Sequence, residues 1–178
     1  MKILHLAATG TAMLLVAGCT DSRAILDPAP AALSVMDELS ARQVETSGHF
    51  AAIVDFSTLT LTPKGRNCQL QVSGQLIFTG TIDGTATGQT TALVFAPCSD
   101  VATTPPGTFP DVFHSELEFE GTVDGASARA HLLYMGRVQP GGQITGRLVF
   151  SGGVQGRLEV EARVAVGGDY SGSVVVTD

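Results

Sequence analysis

A chain of 178 residues has room for one domain together with a leader and a tether. Its formal charge is −7 and its 10 lysines and arginines form no cluster, which argues against a phosphate-backbone partner, so no nucleic acid is expected. Charged residues make up only 15%, glycines number 21 and tryptophan is absent, a composition suited to short strands and tight turns rather than helices.

Residues 1–18 carry one early cation, Lys2, and then the apolar run AATGTAMLLVAG. Such a run reads as a secretory signal and is too short for a transmembrane span. Its end, Val16-Ala17-Gly18-Cys19, resembles the bacterial lipobox, which implies that Cys19 becomes the acylated N-terminus of a lipoprotein. An ordinary signal peptide with a chance cysteine is the alternative. Palmitate-type chains on Cys19 would hold the protein at a membrane, because each buried methylene contributes about 0.8 kcal/mol. Under Gram-negative sorting rules Thr20 favours the outer membrane, facing the periplasm, although Asp21 one place later weakens that assignment. Residues 19–46 read as a tether. Pro28 and Pro30 suggest an extended spacer. Leu33, Met36 and Leu39 fit either a short amphipathic helix or a partly ordered linker.

The third segment, residues 47–178, alternates with period two. Phe50, Ala52, Val54 and Phe56 share one face of a first strand ending near Pro63. A turn at Lys64–Asn67 leads to Cys68, Leu70 and Val72, and then to Leu76 and Phe78. Asp83-Gly84 reads as the next turn and Thr85–Ala96 as the following strand. Pro97–Pro110, with Pro105-Pro106 and Gly107, is the one long loop. Phe113, Leu117, Phe119 and Val123 then alternate with His114, Glu116, Glu118 and Glu120. Asp124-Gly125 makes a tight hairpin turn into Ala128, Ala130, Leu132 and Tyr134. Glycine-rich turns at Pro140–Gly142, Gly152-Gly153 and Gly167–Asp169 separate Ile144–Phe150, Leu158–Val166 and Tyr170–Thr177. One phrase occurs twice, as FTGTIDGTAT at Phe78–Thr87 and FEGTVDGASA at Phe119–Ala128. About eight strands on short connections pack as a sandwich or close on themselves, and closure removes the exposed edges. The expected fold is all-β, an eight-stranded antiparallel up-and-down barrel.

The run Leu76–Val176 resembles the bacterial barrel proteins of unknown function that are grouped with allene oxide cyclase. The resemblance rests on Phe119–Gly125 (F-x-G-T-[IV]-D-G), the strand Ala126–Met135, the turn Gln139–Gln143 and the late hairpin Val154–Ser173. It covers somewhat more than half of the chain and implies a barrel loosely similar to lipocalins and dirigent proteins. Ala126 and Ala128 depart from the small Gly/Ser exit expected after the turn. None of the plant cyclase's catalytic residues maps onto a position here, so the resemblance implies no activity.

Cys68 and Cys98 are the thiols left once Cys19 is acylated, and an exported domain with two thiols most simply carries one disulfide. His114, Glu116, Glu118 and Glu120 lie on one strand face about 7 Å apart. The first three offer a divalent-cation ligand set, with His131 on the neighbouring strand, but a solvated face that discourages edge pairing is the simpler reading of the row and needs no metal. Phe78, Phe95, Phe119, Leu132, Tyr134 and Phe150 are expected to point inward, as packed core or as the walls of a ligand cavity. No nucleophile elbow, HExxH, P-loop or dinucleotide fingerprint is present, and no cofactor is indicated. The expected function is a lipid-anchored cell-envelope protein whose non-enzymatic barrel binds a small apolar ligand or a partner surface. A cyclase- or isomerase-like enzyme is the first alternative and requires an open cavity with a buried polar pair, such as Tyr134 and a carboxylate. A purely structural envelope module is the second and requires a filled interior.

Overall fold

The computed structural model describes residues 41–177, so the signal segment, Cys19 and most of the tether lie outside the described residues. Eight strands follow in order: β1 Arg42–Lys64, β2 Asn67–Gly80, β3 Ile82–Val94, β4 Asp111–Val123, β5 Ala126–Val138, β6 Gln143–Gly152, β7 Val154–Arg163 and β8 Gly167–Val176. Each pairs antiparallel with the next, and β8 returns to β1, closing the barrel. Closure explains where β1 begins. Residues 42–46, expected as the end of the tether, pair with β8 from Arg42↔Val176 onward, and Val44 and Thr46 turn inward. Without them the edge of β8 from Gly172 to Val176 would be bare. The barrel therefore starts five residues earlier than the composition change suggests.

The two copies of the repeated phrase play different parts. In the second, Asp124 (φ 50°) and Gly125 (φ 79°) form the two-residue β4–β5 turn. In the first, the chain reverses at Gly80 and Thr81, while Asp83 and Gly84 are already in β3, paired with Thr122 and Gly121. The expected Asp83-Gly84 turn is thus displaced by a corner in which Gly80 still pairs with β1 while Ile82 pairs with β4.

Up-and-down connection puts the β2–β3, β4–β5 and β6–β7 turns at one end of the barrel. The half nearer them is filled. Phe78 sits among Phe50, Phe119 and Tyr170, with ring centroids 5.7–5.9 Å apart, and Phe119 meets Phe150 edge-on at 5.7 Å. Leu132, Leu158, Val154 and Val174 complete this core. The Tyr170 hydroxyl accepts the Ile82 amide at 3.0 Å and lies 3.1 Å from the Ile82 carbonyl, so its polar end is satisfied. Its ring crosses Gly48, where a Cβ would stand 2.7 Å from Tyr170 Cζ, and only glycine leaves that passage open.

Phe95 departs from the expected inward set. Ala92, Val94 and Ala96 carry the inward face of this segment, so Phe95 between them points outward and is 49% exposed. Val166 also leaves the expected β7 alternation, because the chain turns through Ala165 (φ 56°) directly after Arg163.

Candidate functional site

The other half of the barrel is open. Between the β1–β2, β3–β4, β5–β6 and β7–β8 connections lies a cavity of about 440 Å³. Its walls are inward positions with small or aliphatic side chains, among them Ala52, Val72, Ala92, Leu117 and Ala162, and Phe50 and Tyr134 form its floor. Those two rings meet edge-on at 5.8 Å and divide the cavity from the aromatic core. The void follows from side-chain size: rings fill one half, whereas alanines, Thr90 and Ser115 leave the other underfilled.

Two irregular segments shape the mouth. In β1 the register slips between Asp55 and Thr60, so Phe56–Leu59 bulges opposite Val72. Asp55 Oδ1 accepts the Ser57 amide at 3.0 Å, and Thr58 Oγ1 accepts the Ser73 amide at 2.8 Å, which fixes the bulge. Phe56, expected on the Phe50 face, is carried to the mouth, where it lines the entrance while remaining half exposed. The second segment is Pro97–Pro110, expected as loop throughout. It contains one helical turn, α1 Cys98–Val101, and its later residues roof the cavity. The Cys68–Cys98 disulfide, with Cα atoms 4.8 Å apart, ties this roof to β2. Leu61, Leu70, Val101 and Phe109 pack around the bridge. On the far side, the Gly107 carbonyl accepts the Gly141 amide at 3.0 Å, so the roof is held at both ends.

Polar groups in the cavity fall into two kinds. Thr90 and Ser115 share a hydrogen bond of 2.7 Å and satisfy each other. Tyr134 OH and Asp111 Oδ1 are buried without a hydrogen-bond partner among the described residues. Asp111 pairs with Val138 and Tyr134 with Ser115, so the two lie four residues, about 13 Å, apart along the β4–β5 ladder. Phe113 holds the inward ladder position between Asp111 and Ser115, and its ring lies 4.9 Å from that of Tyr134. Burial pushes the Tyr134 phenol further above its ordinary range. Desolvation raises the Asp111 carboxyl to about 7.

That shift fixes a sign. Folded Asp111 keeps its proton between about pH 4 and 7 while the unfolded chain has lost it, so stability falls as pH rises through this window and then levels off. Asp111→Asn is expected to be more stable than wild type by about 1–2 kcal/mol at pH 8, a figure reduced for partial solvent screening, and nearly equal at pH 4. Paired urea titrations at the two pH values check this, and equal differences at both would refute it.

Of the six residues expected to point inward as core or cavity wall, Tyr134 lines the cavity. Phe78, Phe119, Leu132 and Phe150 are core, and Phe95 is outside. Asp111, by contrast, is legible by stepping back in twos from Leu117 through Ser115 and Phe113. The row His114–Glu120 lies on the outer surface. Glu118 meets His131 Nδ1 at 3.1 Å, and Glu120 is paired with Arg129. No group of three or more His, Cys, Asp or Glu among the described residues is placed to hold a metal ion. Strand spacing of about 7 Å keeps His114, Glu116 and Glu118 from converging on one ion.

No family model and no curated protein matches the chain. Among solved structures, it is similar to a protein of unknown function of the DUF3224 family from Shewanella oneidensis MR-1. The identity is 13% and the TM-score 0.50, over 77% of this chain and 98% of that one. The likeness is one of fold.

Proposed function

We propose that this protein is a lipid-anchored envelope protein whose barrel binds a small apolar molecule in the cavity at its mouth. The carrying observation is an opening of about 440 Å³ with largely apolar walls, a volume within the range of small-molecule sites. The lipobox-like Val16–Cys19 supports the anchor, with the outer membrane as its site in a Gram-negative cell. A cyclase- or isomerase-like reading draws on the same cavity, but an acid and a base would each have to reach the proton it transfers on one small substrate. With Phe113 between Tyr134 and Asp111 along the ladder, binding is the better supported reading. The open half also favours binding over a purely structural module.

Native mass spectrometry of protein extracted from its own membrane tests both parts. The expected result is an acyl mass on Cys19 and a co-purifying small molecule. Ala92→Phe, which places a ring in the cavity, is expected to fold and to weaken binding of the neutral dye Nile red by about tenfold or more. An empty wild-type cavity that takes no dye would overturn the binding reading.

A further inference from the structure

Asp111 gives the cavity a chemical preference that its apolar walls do not. We propose that the ligand has an apolar body and a protonated amine head, the head seated against the Asp111 carboxylate. The inference rests on the cavity being a binding site.

Asp111 lines the cavity beside the roof, and its buried Oδ1 has no partner among the described residues. The charged groups around the mouth are Lys64 and Arg66 at the β1–β2 turn, Asp100 in the roof, Arg137 on β5 and Arg163 on β7. None of them forms an ion pair with Asp111. Arg137 belongs to the outward-facing set of β5 and meets Asp111 only at an outer cleft, and Arg163, at the rim of the cavity, is exposed and donates to the Gly141 carbonyl at 3.3 Å. The site thus holds an unspent carboxyl within an apolar wall and, among the described residues, no buried cation to match it.

The three possible heads differ in what they meet. A carboxylate would bring a second negative charge to Asp111. An uncharged head leaves the carboxyl to bear its desolvation alone once ionised. An ammonium supplies the missing counter-charge where low polarity strengthens the pair. Tyr134, kept a neutral phenol by burial, adds a hydrogen-bonding position deeper in the cavity and no charge.

The test is displacement of Nile red from the full-length protein by octylamine, octanol and octanoate, which share one chain and differ in head. Octylamine is expected to bind about tenfold tighter than either other compound at pH 8. It stays charged at pH 5.5 whereas Asp111 gains its proton, so the preference is expected to fall there. Asp111→Asn should still bind the dye and lose the preference at both pH values. Octanol or octanoate binding as tightly as octylamine would overturn the inference and leave the cavity reading intact, as would a preference that survives Asp111→Asn. Failure of wild type to bind dye or any of the three compounds would overturn both.

Discussion

Phe78→Ala is expected to lower the free energy of unfolding by about 3–5 kcal/mol, a larger effect than loss of the disulfide. Phe78 is 1% exposed and touches the rings of Phe50, Phe119 and Tyr170 at once. Its partner across β3 is Gly84, which has no side chain to swing into the space. The closed ladder also resists collapse, because drawing one strand inward strains pairing with both neighbours. A loss of this size is a large part of the ~5–15 kcal/mol that holds a typical domain together. A shift in urea midpoint with unchanged slope would support it, and a loss below about 1 kcal/mol would show that the aromatic half does not dominate stability.

Removing the disulfide ranks second. Replacing Cys68 and Cys98 by alanine is expected to destabilise the protein by about 3–4 kcal/mol, given a sequence separation of 30 residues. A second consequence follows from position. The bridge anchors the segment that roofs the cavity, so the same double variant should exchange Nile red faster than wild type. Unfolding with and without reductant, together with dye dissociation rates, measures both. If stability drops while dissociation is unchanged, the bridge supports the barrel without controlling its mouth.

Much of the fold is legible in the sequence because alternation is hard to disguise in a barrel. Leu117, Phe119 and Val123 against Glu116, Glu118 and Glu120 assign β4 unambiguously, and the structure agrees. Expectation and structure part where one local signal fits two contexts. Asp-Gly marks a turn at Asp124 but sits within a strand at Asp83, and only long-range pairing with β4 separates the cases. Phe95 reads as inward from its hydrophobicity, although the small residues Ala92 and Ala96 set the parity. The bulge at Phe56–Leu59 breaks parity in the middle of β1 with no Gly or Pro to announce it.

The cavity is less legible for a different reason. Period two tells which residues face inward, but not which strands bring theirs to the same height. That depends on stagger around the ring, which sequence does not display. Tyr134 therefore reads as equivalent to Phe119, though one floors the cavity and the other is sealed beneath it.

The partition at Phe50 and Tyr134 separates two kinds of tolerance. The aromatic residues that carry the core lie below it, while Ala52, Ala92 and Ala162 lie above it and contribute little bulk. Changes on opposite sides of the partition should combine additively, since few of these side chains share neighbours. The mouth can then be recarved for a different guest by exchanging small residues for larger ones, while the aromatic half goes on serving as an unaltered foundation.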